Sequence, residues 1–125
     1  MTLGLFLLVI GTFLGAIWAS ESWGRYWGWD PKETWALISI IVYVIITHLR
    51  LMPALDNPLL FATLSLWGYG SILMTYFGVN YYLTGLHAYA GGDPVPLPGW
   101  AFATVAVLAS LTALAWFCAG RAASP

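Results

Sequence analysis

The chain has 125 residues, of which 61% are hydrophobic and 7% are charged, and its mean hydropathy is +0.82. Such a small number of charged side chains cannot cover the surface of a soluble domain of this length. The composition therefore predicts an integral membrane protein. The net charge of −1 and the lack of any run of Lys or Arg exclude a basic nucleic-acid-binding protein. The single cysteine, Cys118, cannot form a disulfide within the chain, and no Cys-x-x-Cys-His sequence is present, so the chain is not itself a c-type cytochrome.

Four apolar segments divide the sequence, and each is long enough to cross a bilayer at roughly 20 residues per crossing. The predicted spans are about 3–20, 31–52, 58–79 and 99–119. Residues 1–125 are therefore predicted to form a single all-α membrane domain with about four transmembrane helices. Four crossings place both termini on one side of the membrane, and the segments 23–35 and 80–98 together on the other side.

The first apolar segment is expected to remain in the protein as a transmembrane helix. It lacks the preceding basic segment and the following small-residue cleavage site of a signal peptide. Gly11 and Gly15 form a Gly-x-x-x-Gly step, which can bring a neighbouring helix close. Glycine is also common in transmembrane helices without such a role. The sequence leaves both interpretations of this step open.

Tryptophan is concentrated in the segment 23–35, WGRYWGWDPKETW, which holds four of the eight tryptophans and four of the nine charged side chains. Indole rings ordinarily anchor a protein at the membrane–water interface, but this density predicts an aromatic shelf. The four rings belong to Trp23, Trp27, Trp29 and Trp35. Arg25 and Lys32 add positive charge beside them. A flat, apolar, anionic ligand would suit such a surface, and haem, with its planar macrocycle and two propionates, meets that description.

The end of this tryptophan-rich segment predicts the start of the second helix. Asp30 is expected at the N-cap and Pro31 at the first helical position, where these residue types are favoured. Glu33 follows three residues after the cap, which is the spacing of a capping box. Because such caps are common, the residues alone indicate a structural role for Asp30.

The two histidines, His48 and His87, are the candidate metal ligands. His48 lies near the end of the second predicted span, two residues before Arg50, where it could be a headgroup-level polar residue or a functional group within the membrane. His87 lies in the loop 80–98, where it could be polar surface or an iron ligand, because neutral imidazole coordinates iron readily. The residues themselves leave these alternatives open.

The pattern Trp23-Gly24-x-x-Trp27-x-Trp29-Asp30 resembles the WWD signature of the cytochrome c assembly family, whose members handle haem in membranes. The continuation DPKETWALI is more similar to the CcsA/ResC (System II) branch than to the CcmC or CcmF branches. THLR and GVNYYLTGLHAYAGGDPVP extend the resemblance over most of the chain. The family places this motif on the extracytoplasmic side of the bacterial inner membrane or an equivalent membrane, whereas the loop charges of this chain favour neither orientation.

The resemblance implies a haem-binding protein of c-type cytochrome biogenesis, which presents haem b for covalent attachment to apocytochrome c. His87 would ligate the iron at an external site, and His48 would belong to an internal site within the membrane. The tryptophan-rich segment, with Asp30, Arg25 and Lys32, would bind the haem. No catalytic side chain is expected, since the protein would supply binding and orientation, and the chain is at most part of a synthase.

The sequence departs from the family in its number of spans and histidines. Relatives of this kind usually have at least six spans and an external histidine on each side of the motif, whereas this sequence has one span and no histidine before the motif. We therefore expect a truncated relative, with a second membrane subunit supplying the missing helices and histidines. Apocytochrome c and membrane lipid are the other expected partners. The alternative is a haem-free accessory or structural membrane subunit, a fragment of a larger assembly protein.

Overall fold

The computed structural model describes residues 1–87 and 96–122, and within these ranges the regular structure is entirely helical. Four helical stretches are long and apolar enough to cross a membrane. They are Thr2–Trp23, Pro31–Leu49, Pro58–Tyr82 and Gly99–Ala122. The predicted class, an all-α membrane protein with about four transmembrane helices, is confirmed. Residues 88–95 of the predicted loop 80–98 lie outside the described residues.

Helix α1 (Thr2–Trp23) extends beyond the end predicted for the first span. It ends because Gly24 takes the left-handed conformation, with a φ of 71°, and donates its N–H to the Ser20 carbonyl. Trp23 is therefore held on a helix, whereas Trp27 follows in the loop that leads to the next helix.

Helix α2 (Pro31–Leu49) begins with the capping box that the sequence predicts. The Asp30 carboxylate accepts the Lys32 N–H at 3.2 Å, and Glu33 Oε2 accepts the Asp30 N–H at 3.2 Å. The helix ends at Leu49, before the predicted end at residue 52, and passes into a turn.

The third span contains a wide helical turn that the sequence did not predict. Helix α3 (Pro58–Leu73) passes into a π-helical turn, Met74–Gly78, which continues as helix α4 (Val79–Tyr82). Such turns are rare and occur frequently at functional sites. The helix therefore runs past the predicted end at residue 79, and the first residues of the predicted loop are helical.

Helix α2 is the central helix, since it packs extensively against α3 and also contacts α1. Two polar contacts join the middle of α2 to the third span. The fully buried Ser39 hydroxyl lies 3.1 Å from the Thr75 hydroxyl, and the Tyr43 hydroxyl donates to the Ser65 carbonyl at 3.3 Å. Hydrogen bonds of this kind hold helices together where the surrounding lipid offers no polar competitor.

Helix α5 (Gly99–Ala122) makes light contact with α3, where Trp116 Nε1 donates to the Thr63 hydroxyl at 3.0 Å. Large apolar side chains such as Phe13 and Phe102 are exposed along α1 and α5, as expected for helices that face lipid or further helices. Because successive spans alternate in direction, the end of α1, the start of α2 and the end of α4 meet at one end of the bundle.

Candidate functional site

The buried carboxylate of Asp30 ties the start of α2 to residues 85–87, which follow α4. Its Oδ1 accepts the Leu86 N–H at 2.6 Å, and its Oδ2 accepts a hydrogen bond from His87 Nδ1 at 3.0 Å. The same Oδ2 also accepts the Lys32 N–H that begins α2. Asp30 is 7% exposed. It therefore does more than the structural capping that the sequence alone indicated.

This contact needs glycine at position 85, because a Cβ there would overlap Asp30 Oδ1 and lie 2.9 Å from Pro31 Cδ. Burial by itself raises the pKa of Asp30. The hydrogen bonds from the His87 side chain and from the backbone outweigh that effect and lower the pKa below its usual value of 3.8. Asp30 is accordingly an anion at neutral pH.

His87 is oriented by this carboxylate and by two indole rings. A carboxylate acceptor at Nδ1 favours the neutral tautomer with its proton on Nδ1, which places the lone pair on Nε2. Trp23 lies edge-on to the imidazole with ring centroids 4.6 Å apart, and the Trp18 centroid is 6.3 Å away. A histidine held by a carboxylate at one ring nitrogen is the usual arrangement of a metal ligand.

A cavity of about 350 Å³ lies between α1 and α2 and reaches His87. Its polar lining comes from His87, Lys32, Glu33, Thr12 and Thr75. The rest of the wall is formed by Leu7, Leu8, Gly11, Gly15, Ala16, Trp27 and Ala36. A largely apolar cavity with a few polar groups is the usual form of a small-molecule site.

The Gly-x-x-x-Gly step of α1 faces this cavity. A Cβ built on Gly11 or Gly15 would meet no other part of the described chain within 4 Å. The two glycines therefore do not bring α1 close to another helix of the described chain, as one interpretation of the sequence proposed. They widen the cavity, because a larger side chain at either position would project into it.

The four tryptophans of the segment 23–35 do not share one plane. Trp27 lines the cavity, and its ring is perpendicular to that of Trp29, with centroids 5.7 Å apart and an interplanar angle of 89°. Trp29 has a φ of 56° and is 69% exposed, an uncommon conformation for so bulky a residue. Trp23 contacts His87, and Trp35 is half-buried on α2. A single flat shelf is therefore absent, and a role for these rings in ligand binding stays a prediction.

The two cations of the segment lie in different surroundings. Lys32 lines the cavity, and its Nζ donates to Asn80 Oδ1 on α4 at 3.3 Å. Arg25 is exposed, and its guanidinium folds back over the backbone of Gly28. Glu33 also lines the cavity, with its Oε2 accepting the Gly28 N–H at 2.7 Å.

His48 lies at the other end of α2. Its Nδ1 is 2.7 Å from the Val44 carbonyl of its own helix, and the residue is exposed. At about 1.5 Å per residue, about 27 Å of helix separates it from Asp30. His48 and His87 therefore cannot ligate the same metal ion. Among the described residues, no group of three or more His, Cys, Asp or Glu could hold a metal.

Comparison with known proteins decides the family. Residues 1–87 match the family described as "Cytochrome C assembly protein". The chain belongs to the cytochrome c assembly family. The similarity to the CcsA branch that the sequence predicts is also confirmed by the curated relatives.

Three of these relatives show how much of the family the chain represents. It is similar to "Protein NrfI" of Wolinella succinogenes, with 69% identity over 96 residues, which is 77% of this chain and 11% of NrfI. It is also similar to "Cytochrome c biogenesis protein CcsA" of Synechococcus sp. (strain JA-3-3Ab), at 47% identity over 70% of this chain and 25% of that protein. The CcsA of Guizotia abyssinica is 48% identical over 71% of this chain and 27% of its own length. The chain thus spans about a tenth of NrfI and about a quarter of the CcsA proteins.

Sequence reasoning missed two residues of this candidate site. Trp18 was not named as a site residue, although it packs on Trp23 with ring centroids 5.1 Å apart. Asn80 was assigned to a loop, although it lies on α4 and contacts Lys32. Trp18 and Trp23 are five residues apart, a spacing that does not place two side chains on one face of a helix, so no signal in the sequence indicated this contact. The contact between Asn80 and Lys32 joins residues 48 positions apart, and no local pattern indicates it.

Proposed function

We propose that this chain binds haem at the site beside Asp30 and His87 and presents it for covalent attachment to apocytochrome c. The observation that carries the proposal is the hydrogen bond from His87 Nδ1 to the buried Asp30 carboxylate. That bond directs the Nε2 lone pair of an oriented imidazole away from Asp30, next to a largely apolar cavity.

The residues of the site fit haem in three respects. His87 offers an imidazole nitrogen for iron, and the cavity wall offers apolar surface for a macrocycle. Lys32 places a cation at the same cavity, which suits an anionic side group. When bound, haem would supply the iron for this ligand and the vinyl groups that form thioether bonds with the cysteines of the apoprotein.

The residues of the chain would divide the work of holding and orienting the ligand. Trp23 fixes the imidazole from one side, and Trp27 supplies part of the cavity wall. Trp29 and Trp35, with Arg25, would extend the binding surface where the ligand leaves the cavity. Asp30 positions His87 and excludes water from Nδ1 without contacting the ligand itself.

His48 would serve a second, internal haem site at the other end of α2, distinct from that of His87. Each described end of the bundle carries one of the two histidines, so each site would offer haem one imidazole. Because the chain spans only part of its relatives, we propose that further helices of a longer protein or a second membrane subunit supply any additional histidine ligand.

We further propose that the tryptophan-rich segment lies on the extracytoplasmic side of a bacterial inner membrane or an equivalent membrane. The site and apocytochrome c would meet on that side. The bundle itself would be surrounded by membrane lipid and by the additional helices.

The proposal is tested by titrating ferric haem into the full chain, purified in detergent, and following the Soret band. We expect a saturable band in the wild type and a weaker, blue-shifted one in His87→Ala, with added imidazole restoring the wild-type spectrum. In His48→Ala, the part of the Soret absorbance that comes from haem bound at His87 should remain. Absence of haem binding to the wild type would contradict the proposal and favour the haem-free accessory subunit.

A further inference from the structure

The side chain of Glu33 makes one hydrogen bond more than its place in the capping box requires. Its Oε2 accepts the Asp30 N–H at 3.2 Å, which is the bond that completes the box. The same oxygen accepts the Gly28 N–H at 2.7 Å, and this shorter bond reaches a residue outside the box. The second bond holds the loop that precedes the helix rather than the start of the helix itself.

The two bonds of Glu33 lie on either side of Trp29. Gly28 and Asp30, its neighbours in the chain, both donate to Glu33, and Thr34 Oγ1 donates to the Trp29 carbonyl at 3.4 Å. The first turn of α2 therefore holds three backbone groups around Trp29. These bonds restrict the movement of its backbone relative to the helix.

The backbone of Trp29 needs this restraint because its conformation is unfavourable. Its φ of 56° lies in the left-handed region, and within the described part of the chain no other residue except glycine has a positive φ. A bulky side chain in that region costs free energy. Such strain persists where the surrounding structure enforces it, and it is concentrated at functional sites. The bonds to Glu33 supply that enforcement here.

The restrained residue places an indole ring beside the cavity. Trp27 lines the cavity, and the Trp29 ring packs edge-on against the Trp27 ring with centroids 5.7 Å apart. Trp29 is nevertheless 69% exposed. A large ring that is already held in place offers contact area to a ligand at a low cost in conformational entropy. Trp29 can therefore extend the cavity wall outward.

We propose that Glu33 is a positioning residue for Trp29, and that the ring it holds contacts the ligand of His87 where this ligand extends beyond the cavity. This inference rests on the proposed function, in which the ligand is haem. Glu33 lines the cavity, but it acts on haem affinity through Trp29 and not by contacting the haem. Its contribution to haem affinity therefore depends on the presence of the Trp29 ring.

A double-mutant cycle measures whether Glu33 acts through Trp29. Ferric haem is titrated into the full chain in detergent, for the wild type, Glu33→Leu, Trp29→Ala and the double variant. Each single variant should bind haem about fivefold more weakly, which is the order of one aromatic contact. The double variant should bind haem no more weakly than Trp29→Ala, because the ring that Glu33 positions is already absent.

Three further variants separate the hydrogen bonds of Glu33 from its charge and from helix capping. Glu33→Gln keeps an acceptor oxygen at the same reach and can complete a capping box, so its haem affinity should stay within about twofold of the wild type. Glu33→Asp keeps the negative charge but withdraws the carboxylate from Gly28, and it carries the expectation of Glu33→Leu if the leucine variant does not fold. Asn57→Leu is the control for a lost helix cap and should leave haem affinity unchanged, because Asn57 caps α3 at the opposite end of the third span.

The outcomes distinguish this inference from the proposed function. Additive losses in the double variant would mean that Glu33 contacts haem directly or only supports the fold, and would overturn the inference while leaving the haem site in place. Unchanged affinity in Glu33→Leu or Glu33→Asp would also overturn it, as would a loss in Glu33→Gln as large as that in Glu33→Leu. A wild type that binds no haem would overturn the proposed function and this inference together.

Discussion

The two ends of α2 hold their acidic and imidazole side chains in different ways. At the start of the helix, Asp30 is buried and accepts hydrogen bonds from His87, Leu86 and Lys32. At the far end, His48 is exposed and bonds its own helix. Both histidines lie near an end of α2, so position alone does not distinguish them. The groups that hold the ring in place distinguish an oriented ligand from a polar residue at the membrane surface.

The acidic residues at the two ends show the same contrast. Asp56 forms an ion pair with Arg50 at 3.7 Å, but the two side chains are 50% and 61% exposed. Water screens the attraction between the two charges of such a pair, whereas the hydrogen bonds of Asp30 are stronger because they are buried in surroundings of low polarity. Removing one carboxylate from each end of α2 is therefore the strongest way to test the comparison.

Asp30→Ala should destabilise the protein far more than Asp56→Ala. We expect a loss of about 3 kcal/mol in the free energy of unfolding for Asp30→Ala, because several hydrogen bonds to a buried anion are lost together. For Asp56→Ala we expect about 0.5 kcal/mol or less. Unfolding in mixed micelles, followed by circular dichroism, measures both values. Similar losses for the two variants would contradict the contrast between the ends.

Aromatic substitutions should affect haem affinity at the start of α2 and nowhere else. Replacing Trp23 or Trp27 by Ala should lower haem affinity by about 1 to 3 kcal/mol, whereas Phe should be tolerated because a ring is kept. Trp29 is 69% exposed, so its replacement tests whether the ligand reaches beyond the cavity. Trp67→Ala, on α3 outside the site, is the control for membrane insertion. Equal haem affinity in all these variants would leave the rings as interfacial anchors.

Acid should weaken the contact between α2 and residues 85–87. The pKa of Asp30 is lowered in the folded protein, so its stabilising effect is complete above its usual value of 3.8 and is lost as the pH falls below that value. Wild type should therefore lose stability in this range more steeply than Asp30→Asn, which does not titrate. Unfolding curves recorded from pH 6 to pH 3 compare the two, and parallel pH profiles would show that Asp30 does not contribute.

Replacing glycines within the spans should change the free energy of unfolding least. The sign of each change should show whether another helix covers that face of the span. Gly15→Ala should leave stability unchanged or raise it by up to about 1 kcal/mol, because Ala favours helix and the new Cβ meets open space. Gly68→Ala should be destabilising instead, since its Cβ would lie 3.0 Å from Ile46 Cδ1 and 3.1 Å from Val42 Cγ1. Unfolding of both variants under one condition gives the sign of each change. A clear loss in Gly15→Ala would mean that another helix covers this face.

Much of the fold could be predicted because it follows from local chemistry. Apolar length predicts the spans, and the Asp30–Glu33 spacing predicts the capping box that starts α2. The π-helical turn at Met74–Gly78 could not be predicted, because it depends on how the third span packs against α2. The end of α2 at Leu49 was missed because the apolar residues Leu51 and Met52 continue the pattern into the turn.

The site was predicted as a set of residues but not as an arrangement. Tryptophan density and the resemblance to the cytochrome c assembly family indicated the segment 23–35 and His87. The bond between Asp30 and His87 spans 57 positions, and it becomes visible only when the third span returns to the start of α2. The perpendicular packing of Trp27 and Trp29 likewise accompanies a positive φ at Trp29, which no residue pattern indicates for a tryptophan.

The central claim is that Asp30 holds the His87 imidazole with its proton on Nδ1. Nitrogen-15 NMR of the ligand-free protein, with labelled histidine and His48→Gln to leave one signal, measures the tautomer of neutral His87 directly. We predict that Nδ1 is protonated and that Nε2 carries the lone pair. In Asp30→Asn the chemical shifts of both nitrogens should move toward the values of a mixture of the two tautomers. A proton on Nε2 in the protein with Asp30 intact would contradict the account, because that nitrogen would then be unable to bind iron.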